Sequence, residues 1–395
     1  MVGTMAKIDD SVKKKVPELR FPGFTDDWEE RKLNENVENI GTGRSSFKAG
    51  LDYSEQTPYE VLGSTSVISY SDSFDHSGNF VLTARVGANA GNLYKHSGNV
   101  KISDNTVYIQ SKNLEFIFYL LTKYDLKKLA FGTGQPLIKA SELKNLKLFF
   151  PKTFGEQKKI GSYFKQLDET IALHQRKLDL LKEQKKGYLQ KMFPKNGAKV
   201  PELRFAGFSD DWEERKFKKF SKKTGKKNSK NLDFPAYSVS NKSGLISQTE
   251  QFDGGRLDSL EKTSYKFVEP NEFAYNPARI NVGSIAFNNL GKTVIVSSLY
   301  VVVKMSEDLD NEFILQFIKS PAFIKEVKRN TEGSVREYLF YENFANIKFP
   351  FTKNKEEQQK IGSFFKQLDD TIALHQCKLD LLKEQKKGFL QKMFV

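Results

Sequence analysis

The sequence predicts an α+β protein in which two mixed α/β domains of one fold are each followed by a long helix. Three observations support this prediction. A short motif and a long motif each occur twice, the long motif has a helical period, and the regions between the motifs carry both strand and helix patterns. We expect the chain to divide into a flexible N-terminal tail (1–15), a first domain (16–155), a first long helix (156–194), a second domain (195–356) and a second long helix (357–395).

The short motif opens each domain. Residues 16–33 read VPELRFPGFTDDWEERKL and residues 200–217 read VPELRFAGFSDDWEERKF, so the two copies differ at three positions. A pair of aspartates precedes the tryptophan in each copy, at 26–27 and 210–211, and a Glu-Glu-Arg-Lys run follows it. We interpret each aspartate pair as the start of a capped helix rather than as two catalytic carboxylates.

The two domains are predicted to be mixed in secondary structure. Runs rich in β-branched and aromatic residues predict strands at 80–82, 106–110, 273–275 and 294–304. Amphipathic patterns predict helices at 116–129 and 312–329, the second interrupted near Pro321.

One local pattern occurs in both domains although their sequences differ. Asn-Ala-Gly at 89–91 is followed by Tyr108, and Asn-Val-Gly at 281–283 is followed by Tyr300, at a constant offset of 192. Each domain also ends alike, with Asn-Leu-Lys-Leu-Phe at 145–149 and Asn-Ile-Lys-Phe-Pro at 346–350. We infer two domains of one fold whose surfaces have diverged.

The long motif is a helix with one apolar stripe. Residues 156–193 and 357–394 differ at five positions, and apolar side chains recur at alternating steps of four and three, which is the seam of a coiled coil. Such a helix spans about 57 Å, and Pro194 is expected to end the first one. Because neither stripe can be buried alone, we predict that the two helices pack on each other. The seam positions are Ile160, Phe164, Leu167, Ile171, His174, Leu178, Leu181, Lys185, Tyr188 and Met192 in the first copy, and Ile361, Phe365, Leu368, Ile372, His375, Leu379, Leu382, Lys386, Phe389 and Met393 in the second.

Composition limits the class of protein. The chain has 395 residues and 63 Lys and Arg against 49 Asp and Glu, a formal charge of +14, which favours a polyanionic partner and nucleic acid first. The single cysteine, Cys377, excludes an intramolecular disulfide framework and a Cys-rich zinc site, and it suits a reducing cytoplasm. We expect no membrane span, because no apolar run is long enough, and no secretory signal in residues 1–15.

We predict no catalytic, cofactor or metal site in this chain. Gly291, Lys292 and Thr293 resemble the end of a phosphate-binding loop, but Ala286 stands where its first glycine should be. The sequence Tyr-Asn-Pro-Ala at 275–278 lacks the second proline and the aromatic residue of an Asn-Pro-Pro-Tyr methyltransferase loop. The seam histidines, at equivalent positions of the two copies, are interpreted as polar residues that fix helix register rather than as metal ligands, since further ligands at a suitable spacing are missing.

The repeated motifs resemble those of a known family. The helix sequence EQ-KI followed by LD-TIALHQ-KLDLLKEQKKG, and the VPELRF-GF-DDWEERKL segment before each domain, are similar to the specificity subunit of type I restriction–modification enzymes. The resemblance covers nearly the whole chain, from about residue 16 to residue 395, and is specific in the repeated motifs. The domains between them match only in outline.

The resemblance implies a fold and a function. Each domain would be a target recognition domain that reads one half of a bipartite, asymmetric DNA site. The two helices would form an antiparallel coiled coil that sets the spacer between the halves, and the repeat would give the chain a pseudo-twofold axis. The subunit would not be catalytic. It would join double-stranded DNA, two methyltransferase subunits that methylate adenine and two restriction subunits that translocate and cleave DNA. S-adenosylmethionine, ATP and Mg²⁺ would belong to those partners.

Candidate DNA-contacting residues lie in polar loops and in a lysine-rich stretch. Seven lysines fall within residues 218–230, and Lys222 and Lys226 are taken as phosphate contacts. Polar side chains on loops suit base-edge contacts. In the first domain these are Arg44, Ser64, Thr65, Arg85, Asn89, Asn92, Gln135 and Lys139, and in the second Ser240, Asn241, Lys242, Arg256, Asn276, Arg279, Asn281, Arg336 and Tyr338. Asn89 and Asn281 also suit a structural turn before glycine.

Two other functions remain open from sequence. A free-standing DNA-binding or adaptor protein would need no enzyme partners, and co-purification with methyltransferase subunits distinguishes it. A fused methyltransferase or nuclease is disfavoured because its motifs are missing, and activity of the purified chain with S-adenosylmethionine or a divalent metal would support it.

Overall fold

The computed structural model describes residues 15–129, 136–195, 197–241, 244–251, 262–331 and 338–395. These residues form two compact units. The first unit contains the described chain up to Gln175 together with Cys377–Val395, and the second contains Arg176–Gln376. Each unit therefore holds one mixed α/β domain and a part of each long helix, and Gln135, Lys242, Arg256 and Arg336 lie outside the described residues.

The first half of the chain begins with strands and ends with a long helix. Its elements are β1 (Glu29–Lys32), β2 (Asn39–Thr42), β3 (Tyr59–Leu62), β4 (Val67–Ser71), β5 (His76–Ala84), β6 (Leu93–Ile102), β7 (Thr106–Gln110), α1 (Leu114–Tyr124), α2 (Ala140–Asn145), β8 (Lys147–Phe150) and the long helix α3 (Phe154–Lys191).

The first unit is built on a six-stranded sheet of order β2-β7-β5-β6-β3-β4. Its strands pair antiparallel except β3 and β6, which are parallel. Gly78 and Gly98 face each other across the β5–β6 pair, and both have positive φ, which only glycine adopts readily. Phe80 of β5 and Val100 and Ile102 of β6 share one apolar cluster.

A second apolar cluster joins this sheet to the helices. Trp28 contacts the rings of Phe116 from α1 and of Phe394, which follows α8, and Phe394 also stacks on Phe164 from α3. Phe116 and Phe164 are fully buried and Trp28 nearly so, and buried aromatic pairs of this kind dominate the energetics of a core. The end of the second long motif is therefore part of the first unit.

The second half repeats the plan with different strands. Its elements are β9 (Glu213–Lys216), β10 (Ser221–Lys223), β11 (Ala236–Ser240), β12 (Gly244–Ser247), α4 (Gln248–Gln251), β13 (Lys266–Val268), β14 (Glu272–Tyr275), β15 (Ile285–Phe287), β16 (Val294–Val296), β17 (Val301–Met305), α5 (Asn311–Ile318), α6 (Pro321–Asn330), α7 (Tyr341–Phe344), β18 (Lys348–Phe351) and the long helix α8 (Lys355–Lys392).

The second unit has two four-stranded sheets, of order β10-β17-β14-β15 and β12-β11-β16-β13. Trp212 contacts Phe313 of α5 and Phe193, which follows α3, as their counterparts do in the first unit. Each unit also has a two-stranded pair that joins the start of its domain to the end, β1 with β8 and β9 with β18. The predicted fold class of two mixed α/β repeats with two long helices is confirmed.

Within each unit the two long helices run antiparallel. In the first unit Tyr163 packs on Phe389, at 5.5 Å between ring centroids, and the carboxylate of Asp168 lies 2.5 Å from the Lys386 amine. In the second unit Tyr188 packs on Phe364 at 5.1 Å, and Lys185 lies 2.5 Å from Asp369. Every seam position of both helices is buried or half-buried.

The predicted capped helices after the aspartate pairs are wrong. The Glu-Glu-Arg-Lys run is strand β1 in the first copy and strand β9 in the second. Each pairs antiparallel with the strand before a long helix, so tertiary pairing decides its conformation over the local capping signal. The aspartates precede these strands in both copies.

Other boundaries differ from the sequence pattern for local reasons. The predicted strand at 294–304 is two strands, β16 and β17, separated by a turn in which Tyr300 N–H donates to Ser297. Helix α1 ends at Asp125, a residue in the left-handed conformation, before a short 3₁₀ turn at Leu126–Leu129. The break near Pro321 separates α5 from α6, with Ser320 as the cap of α6. Among the described residues no helix has the length and apolarity of a membrane span.

Candidate nucleic-acid interface

In the first unit, polar loops converge on the turn that joins β6 to β7. The carbonyl oxygen of Asn105 accepts hydrogen bonds from Ser64 Oγ at 3.2 Å and from the Arg85 N–H at 2.8 Å. Arg44 lies between Gly43 and Ser45, whose N–H groups donate to Thr106 and Ile102 at the two ends of the same turn. The structure therefore brings together Arg44, Ser64 and Arg85, and the Arg44 and Arg85 side chains are exposed.

A second segment lies against the loop after β5. Ile138 N–H donates to the Arg85 carbonyl at 2.8 Å, and Gly87 N–H donates to Pro136 at 2.9 Å, which places the exposed Lys139 beside this loop. Asn92 bonds to Asn89 through both backbone and side chain. This geometry is a turn, the structural role that the Asn-x-Gly pattern also suits.

In the second unit, four predicted residues line one cavity of about 860 Å³. They come from the loop after β14 and from the segment before α7. The predicted lining residues are Asn276, Arg279, Asn281 and Tyr338, and the cavity wall also includes Lys223, Lys266, Leu299 and Phe340.

Backbone bonds hold this loop cluster in place. Leu339 N–H donates to the Pro277 carbonyl at 3.0 Å, which sets Tyr338 beside the loop, and the Tyr338 ring stacks on Phe340 at 5.7 Å. Ser284 Oγ donates to the Val239 carbonyl at 3.0 Å. Ser240 and Asn241, which follow Val239, are therefore close to the same loop.

The same bond holds the cluster in both units. Ile138 and Leu339 occupy equivalent places before the two long helices, and Arg85 and Pro277 are related by the offset of 192. Gly91 and Gly283, related by the same offset, both have positive φ, at 90° and 88°. The loop geometry is thus repeated, whereas the side chains that it presents differ.

Three basic residues, Lys223, Lys266 and Arg279, line the cavity of the second unit. Lys266 is half-buried and its Nζ donates to the Tyr300 carbonyl at 2.6 Å. Burial lowers the pKa of Lys266, and the neighbouring charges of Lys223 and Lys227 lower it further. Lys223 pairs with Glu342 at 3.2 Å. All seven lysines of the 218–230 stretch are exposed, which suits phosphate contacts.

Some predicted residues lie outside the cavity, and some lining residues were not predicted. Lys222 and Lys226 are exposed but do not line it, while Lys223, one residue along strand β10 and hence on the opposite face, does. Lys266 was missed because it lies in a strand, β13, rather than in a polar loop. The described residues contain no cluster of His, Cys, Asp and Glu that could hold a metal ion.

Comparison with known proteins agrees with this geometry. The family model of the type I restriction modification DNA specificity domain matches residues 25–183 and again residues 209–384. The type I restriction enzyme MjaVIII specificity subunit of Methanocaldococcus jannaschii is 22% identical over 336 residues, which cover 79% of this chain and 77% of that protein.

Solved structures share the fold. The crystal structure of a type I restriction–modification S subunit from M. genitalium has a TM-score of 0.65 at 17% identity, and the match covers 96% of this chain and 99% of that one. A chain from a structure on complex assembly and conformational transition of the type I restriction–modification system has a TM-score of 0.51 at 15% identity, with coverages of 96% and 99%. Because the family model matches most of the chain, in two copies that each contain one loop cluster, the chain belongs to the type I restriction–modification DNA specificity family and acts as a DNA sequence-specificity subunit.

Proposed function

We propose that each mixed α/β domain is a target recognition domain that reads one half of a bipartite, asymmetric DNA site. One observation carries the proposal. The same backbone bond, Ile138 to Arg85 and Leu339 to Pro277, holds equivalent loops in both units, and those loops present different side chains. Two half-sites of different sequence require two recognition domains with the same backbone geometry and different polar side chains.

The long helices are proposed to form an antiparallel coiled coil that sets the spacer between the half-sites. Both helices have 38 residues, and their contacts run antiparallel within each unit. A helix of that length covers about 57 Å, which equals about 17 base pairs of duplex DNA. A stiff pair of this kind would fix how many base pairs lie unread.

Repeated surfaces on these helices are proposed to dock two methyltransferase subunits. Leu173 and its counterpart Leu374 are 63% and 69% exposed, and Leu180 and Leu381 are 52% and 56% exposed. Large apolar side chains exposed at matching positions are typical of an interaction surface. Equal surfaces in both copies suit two identical partners.

The assembled complex is proposed to methylate adenine and, with two restriction subunits, to translocate and cleave DNA. S-adenosylmethionine, ATP and Mg²⁺ would be bound by those partner subunits, while this chain would be non-catalytic and supply recognition. We place this function in the cytoplasm, where the chromosome of the cell is accessible.

Co-expression with methyltransferase subunits tests the proposal. We expect the subunits to co-purify, and sequencing of methylated DNA to reveal two half-sites at a fixed spacing. The double variant L173Q/L374Q should lose the partner, while the control K158Q/Q359E, at exposed helix positions, should retain it. Failure of the methyltransferase subunits to co-purify, or methylation at one uninterrupted site, would contradict the proposal.

A further inference from the structure

We infer that Asn276 and Arg279 read the acceptor edge of a guanine in the half-site of the second domain. The inference rests on the proposed function of that domain and adds the base that it recognises. It comes from the hydrogen-bond donors of these two side chains, which line the same cavity and have no partner for those donors among the described residues.

The side-chain oxygen of Asn276 is engaged within its own turn, whereas its Nδ2 amide has no partner among the described residues. Its Oδ1 accepts the Ala278 N–H at 3.0 Å. Its backbone N–H donates to Ser284 at 3.1 Å, and its carbonyl accepts the Arg279 N–H at 3.0 Å. An asparagine reads adenine by using its oxygen and its nitrogen together. Because Oδ1 of Asn276 already accepts one of its two possible hydrogen bonds while Nδ2 keeps both donors, the side chain offers more donors than acceptors.

Arg279 adds further donors on the same wall. It lies just before the short 3₁₀ turn Ile280–Val282, and its side chain is exposed. Among the residues that the structure describes, no carboxylate pairs with its guanidinium. A guanidinium has donors only, and its fork matches O6 and N7 of guanine in the major groove.

The rest of the cavity also disfavours the other bases. The described lining residues include no aspartate or glutamate, which would be needed to accept the N4 amino group of cytosine. Of the three basic residues at the wall, Lys223 pairs with Glu342 and Lys266 donates to the Tyr300 carbonyl, so Arg279 keeps the most donors for a base. Asn281 is the lining residue that keeps a whole amide, so it is the competing reader, for adenine.

The first unit lacks this pair of donors. At the offset of 192, Asn276 and Arg279 correspond to Ala84 and Gly87, which have no polar side chain. The guanine contact should therefore belong to one half-site only. Arg85 of the first unit is a matched exposed arginine for comparison.

The test uses the complex with its methyltransferase subunits and duplexes that carry its mapped site. Each guanine of the second half-site is replaced in turn by 7-deazaguanine, which lacks N7, or by hypoxanthine, which keeps O6 and N7. We expect one position where 7-deazaguanine weakens binding at least about tenfold while hypoxanthine does not. R279A should weaken binding about tenfold to a hundredfold and lose sensitivity to that replacement. N276D keeps the oxygen acceptor of the turn and should weaken binding at the same position.

Three outcomes would overturn the inference. R279A could weaken binding to all DNA sequences equally and lower the slope of log affinity against log salt by about one. Arg279 would then be a phosphate contact. N281A alone could relax an adenine position while R279A has no effect. No guanine could respond to loss of N7. If R85A affects only the half-site of the first domain, the proposed function stands even when the guanine contact fails. If R85A and R279A affect the same half-site, the proposed function fails as well.

Discussion

The guanidinium of Arg20 holds the carboxylate of Glu156 with two hydrogen bonds, of 2.7 and 2.8 Å. Arg204 and Glu357 form the same pair in the second unit, at 2.6 and 2.9 Å. The glutamate side chains are 2% and 0% exposed. Each pair ties a short motif to the start of a long helix, so the sequence match between the copies also has an internal structural cause.

Loss of one of these arginines should destabilise its own unit. R20M leaves the Glu156 carboxylate buried without its partner, and such a loss costs about 3–5 kcal/mol. The two tryptophans lie one in each unit, so urea unfolding followed by Trp28 fluorescence in a W212F background reports the first unit. R31M is the control, because Arg31 and Glu29 are 48% and 38% exposed and should contribute less than about 1 kcal/mol. Equal effects of R20M and R31M would contradict this account.

Glu312 should make stability depend on pH. Burial raises the pKa of this carboxyl group, with Lys366 opposing and Asp310 adding to the rise. Because the pKa of Glu312 is higher in the native state, its protonation stabilises the native protein. This contribution is complete below the pKa of the unfolded state, about 4.3, and is lost as the pH rises through the pKa of the native state. E312Q should therefore stabilise the protein at pH 7 by a few tenths of a kcal/mol, since water screens the partly exposed group, and the gain should vanish below about pH 4. Urea unfolding at several pH values measures this, with the exposed E307Q as the control that should show no such trend.

The exposed lysines near the cavity of the second unit should determine the salt dependence of DNA binding. K222Q/K226Q removes two charges that we assign to phosphates, so the slope of log affinity against log salt should fall by about 1.8, with no change in the methylated sequence. K348Q/K353Q is the charge-matched control, since both lysines pair with glutamates, Glu214 and Glu213. An altered recognition sequence in K222Q/K226Q would mean that these lysines contact bases instead.

The helix length should set the spacer. Insertion of seven residues into both copies of LDLLKEQKKG keeps the seam in register and adds about 10.5 Å, which corresponds to about three base pairs. Methylation sequencing should show the same half-sites at the longer spacing. Insertion into one helix alone should disrupt the complex, because the facing seam loses its partners. If the spacer stayed unchanged after the double insertion, the long helices would not set its length.

Periodicity predicted the fold best where local and tertiary preferences agree. The seam positions coincide with buried or half-buried residues, and strand 106–110 could be identified because its β-branched and aromatic residues favour a buried strand. The Glu-Glu-Arg-Lys runs could not, since their strand conformation depends on a partner more than 100 residues away. The seam lysines were visible as exceptions to the apolar pattern, but their aspartate partners on the facing helix emerge only from the antiparallel contacts.

The candidate site was predictable by residue type and less so by position. Arg279 and Asn276 were expected from their polar loop, yet the engagement of the Asn276 oxygen depends on backbone geometry that no spacing reveals. Lys266 enters the cavity from a strand, and Ser64 and Arg85 meet because both bond to the Asn105 carbonyl, which is far from each of them in sequence. Residue type therefore identifies the chemical groups, and tertiary hydrogen bonds decide which of them meet.

The pairing of β1 with β8, and of β9 with β18, makes the two ends of each domain neighbours. Everything between those strands enters and leaves through one two-stranded pair, in which β1 and β9 have the same sequence, Glu-Glu-Arg-Lys. A foreign insert would need the same ends and the same aromatic contacts with the segments of the long motif, such as that of Phe116 with Phe394. Because the short and long motifs that flank each domain match so closely, genetic crossover within them would exchange one domain for another. A single event of this kind would give the organism a new recognition sequence.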